Sequence, residues 1–268
     1  MPTLSEADGG DGGGRPGAVL VARGVVKHYG RVQALRGADF TVRAGEVVAL
    51  IGDNGAGKST LVKILSGAEV PDAGQITLDG RPVQLGSPLA AQRLGIETVY
   101  QDLALAGDLD PAANLFLGRE VLRGGWLGRL GVLDRRAMRR RSRAAFAELS
   151  IGLPDHSARL GSLSGGQRQS VAVARAVSWA SKVVFMDEPT AALGVLQTRR
   201  VLELIRRVRD RGVSVVLISH NMPEVLAVAD RVEVLRLGRR VAQLDTATAT
   251  VEQLVGAMTG ALGDGAGR

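Results

Sequence analysis

The chain has 268 residues, room for one large domain or two small ones, and 45% of them are hydrophobic, so a sizeable core can form. It contains no cysteine, which excludes disulfides, thiolate metal sites and a cysteine nucleophile and fits a reducing compartment. Aromatics are only 3%, too few for stacking platforms along single-stranded nucleic acid, and no apolar run approaches the ~20 residues of a membrane helix. The net charge of +7 is concentrated: Arg135, Arg136, Arg139, Arg140, Arg141 and Arg143 fall in one short segment. On a helix such a run reads first as a solvated face. Contact with acidic lipid headgroups or with a partner protein is the other reading.

Met1–Gly17 is acidic and glycine-rich and lacks the basic and apolar pattern of a signal peptide. It reads as a tail, as does 263–268, which leaves one domain over 18–262 and an expectation that the protein stays in the cytoplasm. Val19–Tyr29 and Ala38–Arg43 alternate like strands, and Val47–Ile51 is a wholly apolar strand of the kind buried on both faces. Lys58–Ser66 reads as a helix. Asp79-Gly80 between Gln75–Leu78 and Val83–Leu85 signals a hairpin, and Ile96–Tyr100 is a further strand. From about 102 to 162 the strand signal gives way to helical patterns, notably Arg135–Leu149. Strands return at Val183–Met186, Val213–Ile218 and Val232–Leu237, separated by helical stretches at Val195–Arg211 and Pro223–Ala229, with a last helix around Leu254 and Val255. The pattern is an α/β core with a helical insertion.

Three segments carry chemistry. Gly52-Asp53-Asn54-Gly55-Ala56-Gly57-Lys58-Ser59-Thr60 fits G-x-x-x-x-G-K-[ST] between a predicted strand and a predicted helix. Its glycines let backbone N–H groups face phosphate oxygens, the helix adds its positive end, Lys58 reaches the β- and γ-phosphates, and the Ser59 hydroxyl ligates Mg²⁺. Val183–Met186 ends in Asp187 and Glu188. A carboxylate at a strand end beside a phosphate loop holds Mg²⁺, the role read for Asp187. Glu188, next along and facing the other way, is placed as general base for a water attacking the γ-phosphate. Finally, Leu163-Ser164-Gly165-Gly166-Gln167 precedes the helical pattern Arg168–Ser178. It is either a plain helix cap or a second anion site, and a second anion site in one chain suggests a nucleotide on another subunit.

In their order and spacing, Gly52–Thr60, Leu163–Gln167 and Val183–Glu188 resemble the Walker A, signature and Walker B motifs of the ABC ATPases. The resemblance runs from about Val19 to Gly260. It implies a P-loop NTPase core with an antiparallel β subdomain and an inserted α-helical subdomain. It further implies that Tyr29 stacks on adenine, that Gln101 senses Mg²⁺ and the attacking water, and that His220 contacts the γ-phosphate. Where most of the family carries an aspartate after Glu188-Pro189-Thr190, this chain has Gly194, which puts the usual contact between the two sites of a dimer in question.

The stretches Glu97–Leu105, Ala113–Glu120 and Ala191–Val195 followed by Gln197-Thr198 resemble the monosaccharide-import branch, and the single phosphate loop resembles its one-domain, fructose-type form. This implies an ATP- and Mg²⁺-dependent ATPase at the cytoplasmic face of the cell membrane. Its partners would be a second copy, transmembrane permease subunits and, indirectly, an extracytoplasmic sugar-binding protein. No residue here would read the sugar. The alternative is a soluble ABC ATPase acting on nucleic acid or ribosomes. The basic net charge favours it, but the coiled-coil insertion of the DNA-repair members and the second nucleotide domain of the ribosomal ones are not seen, and no nucleic-acid partner is expected.

Overall fold

The computed structural model describes residues 17–191 and 193–261. The expected tails lie outside the described residues, Gly17 excepted.

β1 (Ala18–Tyr29) turns through Gly30-Arg31 into β2 (Val32–Arg43), followed by β3 (Val47–Ile51), α1 (Lys58–Leu65), β4 (Ala73–Leu78), β5 (Arg81–Pro82), α2 (Pro88–Arg93) and β6 (Ile96–Val99). The helical stretch holds α3 (Pro111–Leu115), α4 (Trp126–Arg129) and α5 (Arg135–Glu148). Then come α6 (Gly165–Trp179), β7 (Val183–Asp187), α7 (Val195–Asp210), β8 (Ser214–Ile218), α8 (Met222–Val228), β9 (Arg231–Arg236), β10 (Arg239–Asp245) and α9 (Val251–Thr259).

The strands form two sheets. An antiparallel one has the order β2-β1-β4-β5, and a six-stranded one has the order β10-β9-β3-β8-β7-β6, parallel throughout except for β10. The central strands β3, β8 and β7 are apolar except at Ser214, which opens β8, and Asp187, which ends β7, because both faces of the sheet are covered. Val47, Ala49 and Ile51 of β3, with Val215 and Leu217 of β8, pack into one core with α6 and α7. The intervening Val48, Leu50, Val216 and Ile218 pack into a second core with β1, β2 and α1. The two-residue side-chain period of a strand therefore sends one short segment into both cores.

Some expectations shift. The arm after Asp79-Gly80 is only Arg81–Pro82; one further bond, from the Val83 N–H to the Ile76 carbonyl, follows it, and Val83–Leu85 is not a strand. β2 begins six residues before the predicted start. The helix expected from Arg168 begins at Gly165, and β10 and α2 appear where no element was predicted.

The helical insertion is tied to the core by named contacts. Arg119 donates to Glu97 Oε1 of β6 at 2.7 Å and lies over the Trp179 ring, whose Nε1–H donates to the Leu115 carbonyl. Arg175 of α6 donates to the carbonyls of Leu103 and Ala104, just after β6.

One charged cluster lies away from the phosphate loop. Arg231 bonds Glu46 (Nη2 to Oε1, 2.8 Å), Glu233 and the Thr41 carbonyl, joining β9 to β2 and to the start of β3; both its side chain and that of Glu233 are buried. Removing the cation leaves two buried carboxylates without their main partner. Arg231→Met is expected to cost about 3–5 kcal/mol, read as a lowered denaturant midpoint with an unchanged slope.

Candidate functional site

β3, β8, β7 and β6 are parallel neighbours, so the residues that follow them emerge on one edge of the sheet. That edge, beyond the carboxyl ends of the strands, is where open α/β sheets bind ligands. Gly52 follows β3, His220 follows β8, Asp187 and Glu188 end β7, and Gln101 follows β6. The register holds them level: Leu50 and Asp187 both pair with Ile218, and Met186 pairs with Val99.

The phosphate loop has the shape its glycines require. At Gly57 (φ 102°) a Cβ would sit 2.7 Å from the Ala34 carbonyl oxygen, and at Gly52 a Cβ would sit 2.2 Å from that of Leu235. Both positions pair an unusual backbone with a close approach that only glycine allows. The loop is therefore pinned against β2 and β9, and within it the Ala56 N–H donates to the Asp53 carbonyl at 3.1 Å. Lys58 opens α1 and folds back, its Nζ donating to the Gly52 carbonyl at 2.6 Å and the Asp53 carbonyl at 3.1 Å. Burial lowers the Lys58 pKa, opposed by the charges of Glu188, Asp53 and Asp187. The lysine, the loop and both carboxylates thus share one electrostatic neighbourhood.

Asp187 and Glu188 do not diverge as strand alternation suggested. The strand ends at Asp187, and Glu188 takes a left-handed backbone (φ 49°), held by its N–H donating to the Ile218 carbonyl. The carboxylate of Glu188 then lies 2.8 Å from His220 Nδ1, while the imidazole itself stays largely open to solvent. A non-glycine residue in that backbone region is strained, and the strained residue is the one that meets the histidine. The Asp187 pKa is raised, chiefly by burial and then by the Glu188 charge, with Lys58 opposing.

Tyr29, at the end of β1, is half exposed, with Lys27 Nζ 5.8 Å from its ring centroid, which leaves its outer face accessible. Gln101 is exposed beyond β6, and Ser59 and Thr60 lie in the first turn of α1. The Ser59 hydroxyl, the Asp187 carboxylate and the Gln101 amide are oxygen donors of the hard type Mg²⁺ takes. A site with one carboxylate that relies on substrate phosphates for the rest suits that ion.

Ser164–Gln167 stands apart. It forms a capping box, the Ser164 hydroxyl accepting from the Gln167 N–H and the Gln167 side-chain oxygen accepting from the Ser164 N–H. The amides of Gly165 and Gly166 lie in the first turn beyond that box. Among the described residues no hydrogen bond joins this segment to the phosphate loop, and it borders a separate cleft with Gln197, Arg200 and Arg207. Gln197 covers it: a Cβ on Gly166 would lie 2.9 Å from Gln197 Cγ, and one on Gly194 would lie 2.8 Å from Gln197 Oε1. Where the family pattern has an aspartate, this chain has a glycine overlain by a glutamine three residues on. Gln197 stands in the stretch that carries the branch resemblance, which says nothing of its packing on Gly166, and no motif announces Arg175, because a single polar residue inside a helix leaves no pattern in a sequence.

The profile of the ABC transporter family matches residues 35–191, more than half of the chain. The chain belongs to the ABC transporter family. It is 54% identical over 245 residues to the fructose import ATP-binding protein FrcA of Rhizobium meliloti, covering 91% of this chain and 94% of that protein. It is 46% identical to the xylose/arabinose import ATP-binding protein XylG of Sulfolobus acidocaldarius, covering 90% and 94%. Its 44% identity to the ribose import ATP-binding protein RbsA of Chromobacterium violaceum covers 90% of this chain but 47% of that protein. Among solved structures, the ADP conformation of an ATP-binding cassette of an ABC transporter superposes with a TM-score of 0.76 at 23% identity, covering 90% and 95%. CbiO1 from Clostridium perfringens, part of an ABC transporter complex, does so at 0.74 and 26%, covering 89% and 92%. This ABC cassette therefore has an α/β core, an antiparallel β subdomain and a helical insertion, and no described helix is long and apolar enough to cross a membrane.

The raised Asp187 pKa has a consequence for stability. Unfolded, the carboxyl loses its proton near pH ~4. Folded, it keeps the proton to higher pH, so native stability falls as pH rises through that window and stays reduced at neutrality. Asp187→Asn is expected to raise the Tm of the nucleotide-free protein by roughly 2–4 °C at pH 7 and by much less near pH 4. Differential scanning fluorimetry of the nucleotide-free protein at the two pH values checks both.

Proposed function

We propose that this ABC cassette is the ATP-hydrolysing subunit that energises a membrane permease importing a monosaccharide, with ATP held between two copies of the chain. The observation that carries it is the division of the site. The phosphate loop, both carboxylates, His220 and Gln101 share one sheet edge, whereas Ser164–Gln167 lies on a separate cleft of the same chain. A second copy would supply its Ser164–Gln167 segment to complete the pocket.

On ATP binding, Lys58 Nζ exchanges the Gly52 and Asp53 carbonyls for phosphate oxygens, and the amides of Gly55 and of Gly57 to Thr60 cradle the β-phosphate, that of Ala56 being bonded to Asp53. The Tyr29 ring lies against adenine. Ser59, Asp187 and Gln101 would hold Mg²⁺, which when bound neutralises charge on the phosphate oxygens. Glu188 accepts a proton from the attacking water, and His220, at 2.8 Å, fixes its carboxylate and reaches the γ-phosphate. The domain spans about 18–262. The segment after Gln101, gripped by Arg175, passes the closing motion to the permease at the cytoplasmic face of the membrane, and an extracytoplasmic binding protein delivers the sugar. The high identity over nearly the full length of the fructose-import relative supports a monosaccharide as the cargo.

Glu188→Gln is expected to lower turnover by about 10²–10⁴ while ATP binding persists, and to purify as an ATP-stabilised dimer; normal turnover would overturn the role given to Glu188. Affinity purification of the wild-type chain from its own membranes is expected to recover a multi-span membrane protein. Recovery on ribosomes or DNA in its place would favour the alternative reading.

A further inference from the structure

Between α3 and α5 the helical insertion puts out a small closed loop that the nucleotide site does not use. Leu122 and Leu133 form an antiparallel bridge, and two backbone bonds beside it, Arg123 N–H to Val132 O and Asp134 N–H to Val121 O, clamp the neck. The loop so held presents Trp126 and Leu130, which are 70% and 69% exposed. A tryptophan left in water at the tip of a braced loop costs hydrophobic free energy unless something covers it. The chain's other tryptophan, Trp179, shows the usual arrangement, partly buried with its N–H bonded.

The surroundings of the tip identify its complement. Between Arg119 and Arg143 there are nine arginines against two acids, Glu120 and Asp134, an excess equal to the net charge of the whole chain. Both acids are already engaged, Glu120 with the Gly118 N–H and Asp134 as the N-cap of α5. Arg119 and Arg139 have carboxylate partners, Glu97 and Asp110. Arg123, Arg129, Arg136, Arg140 and Arg143 are exposed, and among the described residues none of the five lies within ion-pair distance of a carboxylate. Arg136, Arg140 and Arg143 fall on one side of α5, opposite the stripe of Met138, Ser142 and Phe146 that faces the core. Arg123 and Arg129 flank the tryptophan on the loop.

We infer that this loop and the arginine face of α5 form a docking surface for an anionic bilayer, with Trp126 and Leu130 entering the headgroup region and the arginines on acidic phosphates. Tryptophan prefers that depth because its ring is apolar and its N–H polar, and unpaired arginines near an anionic leaflet add attraction one by one. A duplex nucleic acid would satisfy the arginines but would leave Leu130 and Trp126 without an apolar environment. The inference goes beyond the subunit reading, in which a permease alone holds the chain at the membrane. It is tested without a permease, so either can fail while the other stands.

The test is flotation of the full chain with unilamellar vesicles of phosphatidylglycerol and phosphatidylcholine in roughly equal parts, against phosphatidylcholine alone. Binding to the anionic vesicles only, weakened by salt and accompanied by a blue shift of tryptophan emission that Trp126→Phe removes, is the expected result. Arg136→Gln/Arg140→Gln/Arg143→Gln is expected to weaken partition by about a hundredfold, at roughly fivefold per arginine. Trp126→Ser/Leu130→Ser is expected to weaken it about tenfold or more, with ATPase activity unchanged in both variants. Equal binding to both vesicle types, no binding to either, or unchanged partition in both variants would overturn the inference. So would a duplex oligonucleotide that binds more tightly than the anionic vesicles through the same arginines.

Discussion

The site depends on one constraint, the parallel alignment of β3, β8, β7 and β6 between two apolar cores. Parallel strands end on the same side. Four short segments that are far apart in the chain therefore deliver a lysine, two carboxylates, a histidine and a glutamine to one edge with almost no stagger. The phosphate loop adds little bulk there because Gly52 and Gly57 let the backbone run against Leu235 and Ala34. The adjoining sheet β2-β1-β4-β5 braces that loop from one side, and Tyr29 comes from the same sheet.

Electrostatics then sets the character of the site. Lys58 is half-buried and less basic than usual, Asp187 is half-buried and less acidic than usual, and each moderates the other. Lys58 spends its protons on backbone carbonyls of its own loop, bonds that a phosphate replaces at little cost because the donor is already desolvated and aimed. Glu188 sits in a strained backbone whose compensation is the bond to Ile218 and the contact with His220. Stability is given up at both carboxylates in favour of a prepared geometry, the usual pattern at a site built for chemistry.

The apolar strands Val47–Ile51, Val183–Met186 and Val213–Ile218 were legible because burial on both faces demands unbroken hydrophobic runs. The phosphate loop was legible because its glycines and lysine sit at fixed spacing. The family resemblance extended the reading to Tyr29, Gln101 and His220, whose residue types alone say little. What the sequence hid was relational. Strand alternation sends Glu188 away from Asp187, and neither its left-handed backbone nor its contact with His220 is visible in the residue types. Val83–Leu85 looked like a hairpin arm, yet the chain leaves the sheet after the single bond from Val83 to Ile76. β10 mixes Arg239, Arg240, Gln243 and Asp245 with Val241, Ala242 and Leu244, the weak hydrophobic pattern of an edge strand. Gln197 over Gly194 and Arg175 on the Leu103 and Ala104 carbonyls depend on helices meeting loops about 3 and 70 positions away in sequence.

The capping box at Ser164 and Gln167 has a further meaning for assembly. The Ser164 hydroxyl accepts a bond from its own helix through a lone pair, and that bond does not occupy its O–H proton. A hydroxyl offers one donor and two lone pairs, so it can hold the Gln167 N–H and donate to a phosphate oxygen at once. A serine cap contributes roughly 1 kcal/mol to a helix, and engaging a phosphate would leave that contribution in place. The box thus orders the helix end while the chain is alone, with no bond that a phosphate would have to break.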